Sequence, residues 1–207
     1  MRLILIRHGE SEGNAAGFVQ GRLDFGLTDL GRIQAQATAE RLASFKADRL
    51  ISSPLLRALQ TASYIAAPLG LAIEHEPDLM EYDMGAASGL TGAQIREKFP
   101  EVVASWQKGL RPVFPGEEGR STFHARVNAF LDRYSATDET IVAVAHGGVV
   151  GAICYSVLGL EPSRRGAFEA ANCGITEIGL DRQGRRVLLR QNDTCHLDGL
   201  VTAVDRG

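Results

Sequence analysis

The chain has 207 residues, of which 44% are hydrophobic and 23% charged, and a formal net charge of −3. That size suits one domain, and the balance is that of an ordinary globular protein. It excludes the broad basic surface that nucleic acid or anionic membrane would require, and no apolar run approaches the roughly 18 residues of a transmembrane helix. Cys154, Cys173 and Cys195 are odd in number and far apart, which argues against a disulfide or zinc framework. Reduced thiols, and a short apolar start with no small-residue cleavage site, make a cytoplasmic location the expectation.

Residues 3–6 are apolar at every position, as in strands of parallel sheets that are buried on both faces. Leu30, Ile33, Ala37 and Leu42 then mark one face of a helix that Thr28 is placed to cap. Residues 50–52 form a short strand. Leu55, Leu59, Ala62, Ile65 and Leu69 mark the next helix, with Ser53 as its N-cap and Pro54 at its first position. His75, between Glu74 and Glu76, falls in a further short strand and is expected to be exposed. Residues 81–119 are richer in glycine and proline and less periodic, and read as a cap or insertion over one end of the sheet. Phe123, Val127, Phe130, Leu131 and Tyr134 line a helix opened by Ser121, with His124 beside the stripe in a structural role. Residues 141–145 are again apolar throughout. Val149, Val150, Ile153, Val157 and Leu158 mark a helix directly after them. Residues 174–180 and 186–190 form a closing pair of strands. The alternation predicts an α/β fold, a three-layer sandwich in which helices flank a mainly parallel central sheet, with residues 1–207 as one domain.

Parallel sheets bind ligands beyond the carboxyl ends of their strands. Arg7-His8-Gly9-Glu10 follows the first strand, Ser52-Ser53-Pro54 the second with Arg57 one turn on, and His146-Gly147-Gly148 the third. Two histidines and two arginines therefore converge on one rim. Guanidinium groups are permanent planar donors matched to phosphate oxygens, and helix N-termini add N–H groups and dipole. A neutral imidazole can attack phosphorus, and a second, if protonated, can stabilise the transferring group. Phosphoryl transfer needs mainly positioning and charge neutralisation, so neither metal nor cofactor is required, but an acid must protonate the leaving oxygen.

Leu5-Ile6-Arg7-His8-Gly9-Glu10-Ser11 resembles the signature of the histidine phosphatase superfamily, the phosphoglycerate-mutase-like proteins. The resemblance continues through Asn14, Gln20-Gly21-Arg22 and Leu27-Thr28-Asp29-Leu30-Gly31. It then takes in the Ser52 to Ala62 segment with Arg57, Glu81 with Gly85, Ala145-His146-Gly147-Gly148-Val149, Asn172 with Gly174, and His196-Leu197. It implies that His8 is the nucleophile and that Arg7, Arg57 and His146 form the phosphate pocket, with Asn14 and Gln20 at its edge beside Gly21 and Gly147. It implies that Glu81 is the proton donor and acceptor. Arg22 is a weaker candidate for substrate contact, and Asn172 divides between a turn and the pocket. Gly13, Gly26, Ala87-Ser88 and the stretched 116–121 segment depart from the pattern, away from the phosphate pocket and toward the wall that selects the leaving group.

Gly9-Glu10-Ser11-Glu12-Gly13 also fits the G-x-S-x-G elbow of serine hydrolases. Too little chain precedes it to supply the oxyanion hole, and it would leave His8, Arg7 and Arg57 without a role. A phosphatase is favoured over a mutase because the span from Glu81 to His146 is short and its candidate cations are few (Arg96, Lys98, Lys108, Arg111). A phosphoanion-binding module without turnover would be expected to lack His8 or Glu81. The reading predicts a small phosphorylated metabolite as substrate and a bell-shaped pH profile. Oligomeric state is open, a homodimer being the common case, and Arg164-Arg165 reads as a solvated turn.

Overall fold

The computed structural model describes residues 1–107, 113–161 and 167–201. Lys108, Arg111 and the Arg164-Arg165 pair lie outside the described residues.

A six-stranded sheet in the order β3-β2-β4-β1-β5-β6 forms the middle layer. Its strands are β1 (Arg2–Arg7), β2 (Arg49–Ser52), β3 (Ile73–His75), β4 (Thr140–Ala145), β5 (Ile175–Leu180) and β6 (Arg186–Asp193). β1, β2, β3 and β4 pair in parallel, and β5 runs antiparallel to both β1 and β6. The register aligns Arg7 with Ala145 and Ser52 with Val144. The strand ends that carry His8, Ser53 and His146 are therefore level on one edge of the sheet.

The uniformly apolar strands bury both faces, as their sequences require. Leu3, Leu5, Ile141, Ala143 and Ala145 face α6 (Arg120–Ser135) and α7 (Gly147–Val157). Ile4, Ile6, Leu50, Val142 and Val144 face α2 (Asp29–Leu42) and α3 (Leu56–Leu69). Each such leucine, isoleucine or valine, fully withdrawn from water, contributes about 1.5–3 kcal/mol of transfer free energy. The expected stripe of α6 is buried in full, although the helix opens at Gly119 rather than Ser121.

Two expectations change. The buried face of α2 is Gly31, Gln34, Ala35, Thr38, Ala39 and Leu42, and Ile33 is 53% exposed. Polar Gln34 and Thr38 are admitted because they are bonded: Gln34 accepts from the Glu10 N–H at 2.8 Å and donates to the Leu200 carbonyl at 2.8 Å. Gly31 lies inside because a Cβ there would stand 2.0 Å from the Glu10 carbonyl oxygen. In addition, Ser53 does not cap α3. The helix starts after Leu55 with no side-chain cap, and the Ser53 hydroxyl lies 2.8 Å from His146 Nε2 instead. Thr28 does cap α2, accepting from the Gly31 N–H at 3.0 Å.

The 81–119 segment carries a 3-10 turn at Gly85–Ala87, then α4 (Gly92–Lys98) and α5 (Pro100–Gln107). Its own small core is Ala87, Ile95 and Phe114 with Val19, Met84, Leu90 and Phe99. Val19 joins it to the loop that holds Gln20 and Gly21, donating to the Leu90 carbonyl and accepting from Gly89. Among the described residues no helix is long and apolar enough to cross a membrane.

Candidate active site

His8 leaves β1 buried, with Nδ1 2.7 Å from the Gly9 carbonyl oxygen. That oxygen only accepts, so the proton sits on Nδ1 and the Nε2 lone pair is left to receive Arg57 Nε–H at 3.2 Å. Three further bonds fix the turn: His8 N to Ala145 O, Gly9 N to Thr61 Oγ1, and Asn172 Nδ2 to His8 O at 3.0 Å. Burial pushes His8 well below the ordinary imidazole value of 6.5, and the Arg57 and Arg7 charges push the same way, against the bond to Gly9. His8 is therefore neutral.

Arg57, near the start of α3, is buried, and each of its three nitrogens makes a bond that fixes the guanidinium in place. Beyond His8 it donates from Nη1 to Leu23 O at 2.8 Å and from Nη2 to Gly21 O at 2.9 Å. Burial pulls it down to about 10, still charged at neutral pH. Gly21 has φ +52°, and a Cβ would meet Ser88 Oγ at 2.7 Å. A glycine is thus needed to turn its carbonyl toward Arg57. Arg7 holds its guanidinium by Nη1 to the Ala170 carbonyl at 2.7 Å, close beside Gly147.

The His146 ring stands 5.1 Å from that of His8, at 58°. Its Nε2 meets Ser53 Oγ, which already accepts from the Leu55 N–H at 3.4 Å. Among the described residues, the buried Nδ1 of the same ring has no hydrogen-bond partner. Leaving such a group unsatisfied costs about 1–3 kcal/mol, which a phosphate oxygen would relieve. Burial also pushes His146 well below 6.5, helped by Arg57, His8, Arg7 and Arg126, so it is neutral and not the cation considered from sequence.

Glu81 approaches from the other side. Its Oε1 accepts from the Tyr82 N–H at 2.7 Å and its Oε2 from the Gly148 N–H at 3.0 Å, in the first turn of α7. A Cβ on Gly148 would lie 2.2 Å from Glu81 Oε1. The His146-Gly147-Gly148 sequence therefore supplies an imidazole and the space for a carboxylate together.

Asn14 and Gln20 gather around Ser11, whose hydroxyl lies 2.9 Å from Asn14 Oδ1 and 2.8 Å from Gln20 Oε1. Asn14 also receives Asn172 at 3.3 Å. Ser11 is fully buried as the N-cap of α1 (Glu12–Ala15), which leaves no room for the hydrolase elbow. Arg22 is ion-paired to Glu118 at 2.9 Å and touches Glu81 O at 3.4 Å. Arg126, on α6, went unnoticed in the sequence. It donates to Glu81 O at 3.0 Å and Asp78 O at 2.7 Å while gripping Glu118 at 2.6 and 3.0 Å. Burial alone would raise Glu118; Arg126, the Asp83 N–H and Arg22 outweigh it and hold the carboxyl below its usual range. His75, His124 and His196 take no part in this cluster. Among the described residues, no group of three or more histidine, cysteine or acidic side chains is placed to hold a metal ion.

A family model described as the histidine phosphatase superfamily (branch 1) matches residues 3–194. Phosphoserine phosphatase 1 of Hydrogenobacter thermophilus is 35% identical over 200 residues, 95% of this chain and 94% of its own. Among solved structures, a mycobacterial glucosyl-3-phosphoglycerate phosphatase in complex with VO3 matches with TM-score 0.82 and 31% identity, covering 93% of this chain and 99% of that one. The alpha-ribazole phosphatase of Shigella flexneri matches with TM-score 0.84 and 26% identity, covering 93% and 96%.

Proposed function

The chain belongs to the histidine phosphatase superfamily, and from that premise we propose that it is a metal-independent phosphomonoesterase acting on a small phosphorylated metabolite. The observation that carries this is the neutral His8 ring, its Nδ1–H tied to Gly9 and its Nε2 lone pair 3.2 Å from the Arg57 guanidinium. In the proposed reaction Nε2 attacks phosphorus while the ester oxygen departs with a proton from Glu81. The phosphohistidine P–N bond is then broken by water, whose proton returns to Glu81. Arg7 and Arg57 neutralise the phosphoryl oxygens, and His146, in the tautomer with its proton on Nδ1, donates to one of them. Asn14, Gln20, Gly21 and Gly147 shape the edge of this pocket. The printed activities of the relatives above, all phosphatases, support hydrolysis over mutase chemistry. Free thiols at Cys154, Cys173 and Cys195 support a reducing, cytoplasmic setting, with Cys154 and Cys173 pushed up to about 11 and 12 by burial and hence unreactive.

The test is turnover of p-nitrophenyl phosphate and a panel of phosphometabolites with chelator present, by wild type and His8→Ala. Wild type should turn over and His8→Ala should not. Interconversion of 2- and 3-phosphoglycerate faster than hydrolysis would make the protein a mutase instead.

A further inference from the structure

Glu81 sits in a segment, 80–84, with no helix or strand of its own. Its position therefore depends on what holds the backbone there. The holder is α6. Arg126 Nη2 donates to the Glu81 carbonyl at 3.0 Å and Nη1 to the Asp78 carbonyl at 2.7 Å, which pins both ends of the 78–81 stretch to one helix. The guanidinium is itself fixed: Glu118 takes it at 2.6 and 3.0 Å, and it lies 4.8 Å over the Phe123 ring. Phe123 packs edge-on against Tyr82 at 5.2 Å, and the Tyr82 hydroxyl donates to Glu117 at 2.7 Å. Glu118 also accepts from the Asp83 N–H at 3.3 Å and pairs with Arg22. Each side of the Glu81 peptide is thus held by a bonded neighbour.

We propose that Arg126, fixed by Glu118, is the positioning residue for Glu81: it sets the carboxyl where a leaving oxygen departs, without touching substrate. This rests on the reading of Glu81 as the acid. A brace serving the fold alone has no need to end on the acid's own carbonyl. Only a planar guanidinium reaches two carbonyls and two carboxylate oxygens at once, so lysine is a poor replacement. A misplacement of about 1 Å can cost as much as about 100-fold in rate, and only where the misplaced group is used.

The test uses two substrates of nearly the same shape, p-nitrophenyl phosphate and phenyl phosphate. The nitrophenolate leaves without a proton; phenolate leaves far less readily and needs the acid. The readout is kcat/KM, which covers steps through departure of the leaving group and ignores later hydrolysis. Arg126→Met, Arg126→Lys and Glu118→Gln are compared with Glu81→Gln, each with a thermal melt. Arg126→Met should lower kcat/KM for phenyl phosphate at least about tenfold more than for p-nitrophenyl phosphate. Arg126→Lys and Glu118→Gln should do the same to a smaller degree, and either carries the test if Arg126→Met does not fold. If Glu81→Gln is selective but the Arg126 and Glu118 variants lower both substrates by one common factor, or neither, the positioning proposal is overturned and the acid stands. If Glu81→Gln itself is unselective, the acid assignment fails and the proposal falls with it.

Discussion

Gly148→Ala separates catalysis from stability in opposite directions. In α7 an alanine is the better helix former, worth up to about 1 kcal/mol over glycine in a helix interior and less in the first turn. The added Cβ, however, falls 2.2 Å from Glu81 Oε1, and the carboxyl oxygen must retreat by more than about 1 Å to reach ordinary contact at 3.4 Å or beyond. The Glu81 side chain is flexible, so it moves and the fold does not. The bond from Gly148 N to Oε2 at 3.0 Å is strained or lost with it. If Glu81 is the acid, displacement on that scale removes much of the contribution of about 100- to 10,000-fold that a placed general acid makes. We expect kcat/KM for phenyl phosphate to fall about 100-fold, p-nitrophenyl phosphate to fall much less, and the melting temperature to hold or rise. Steady-state kinetics on both esters and differential scanning calorimetry measure this. Undiminished turnover of phenyl phosphate, or an equal loss on both esters, would refute the reasoning.

Arg57→Lys should reduce kcat/KM about 100-fold, because one ammonium cannot serve His8, Leu23 and Gly21 together; a loss under threefold contradicts the account. Gly31→Ala should destabilise by about 1–3 kcal/mol despite its better helix propensity, since its Cβ would meet the fixed Glu10 carbonyl at 2.0 Å. For a chain of this size that is roughly 2–4 °C of melting temperature per kcal/mol, and an unchanged melt counts against the packing. Stability should also fall on mild acidification. His8 and His146, lowered by burial, stay unprotonated in the fold while the unfolded chain takes up protons below 6.5, and His196 adds to this in the same direction. The full contribution is present above pH 6.5 and is lost as pH falls toward the folded values, by up to about 1.4 kcal/mol per pH unit per histidine. Denaturant melts between pH 5 and 7 of wild type and of His8→Asn/His146→Asn check it; equal slopes would overturn it.

Much of the site is legible in the sequence because strand ends carry it. Residues 3–6 and 141–145 read as doubly buried strands, and in a parallel sheet that alone brings Arg7, His8 and His146 to one edge. Arg57 follows from the next strand by one helical turn. Glu81 has no such local signal and was legible only through the family resemblance. The α2 face was misread because Gln34 and Thr38 are buried by hydrogen bonds, which an apolar pattern cannot register, and Ile33 is left outside. Ser53 looked like a cap because serine before proline and a helix usually is one; the fold turns its hydroxyl to His146 instead. Arg126 gave no signal at all. Its partners are backbone carbonyls of Asp78 and Glu81, distant in the chain and chemically anonymous in a sequence.

The central claim is that phosphorus becomes bonded to His8 Nε2. The direct measurement is to quench the enzyme during turnover of p-nitrophenyl phosphate in the presence of chelator, digest it, and locate the phosphoryl group by mass spectrometry. The account predicts one acid-labile, alkali-stable phosphoryl group on the peptide containing His8, and none in His8→Ala. A phosphoryl group on any other residue, or full turnover by His8→Ala, would contradict it.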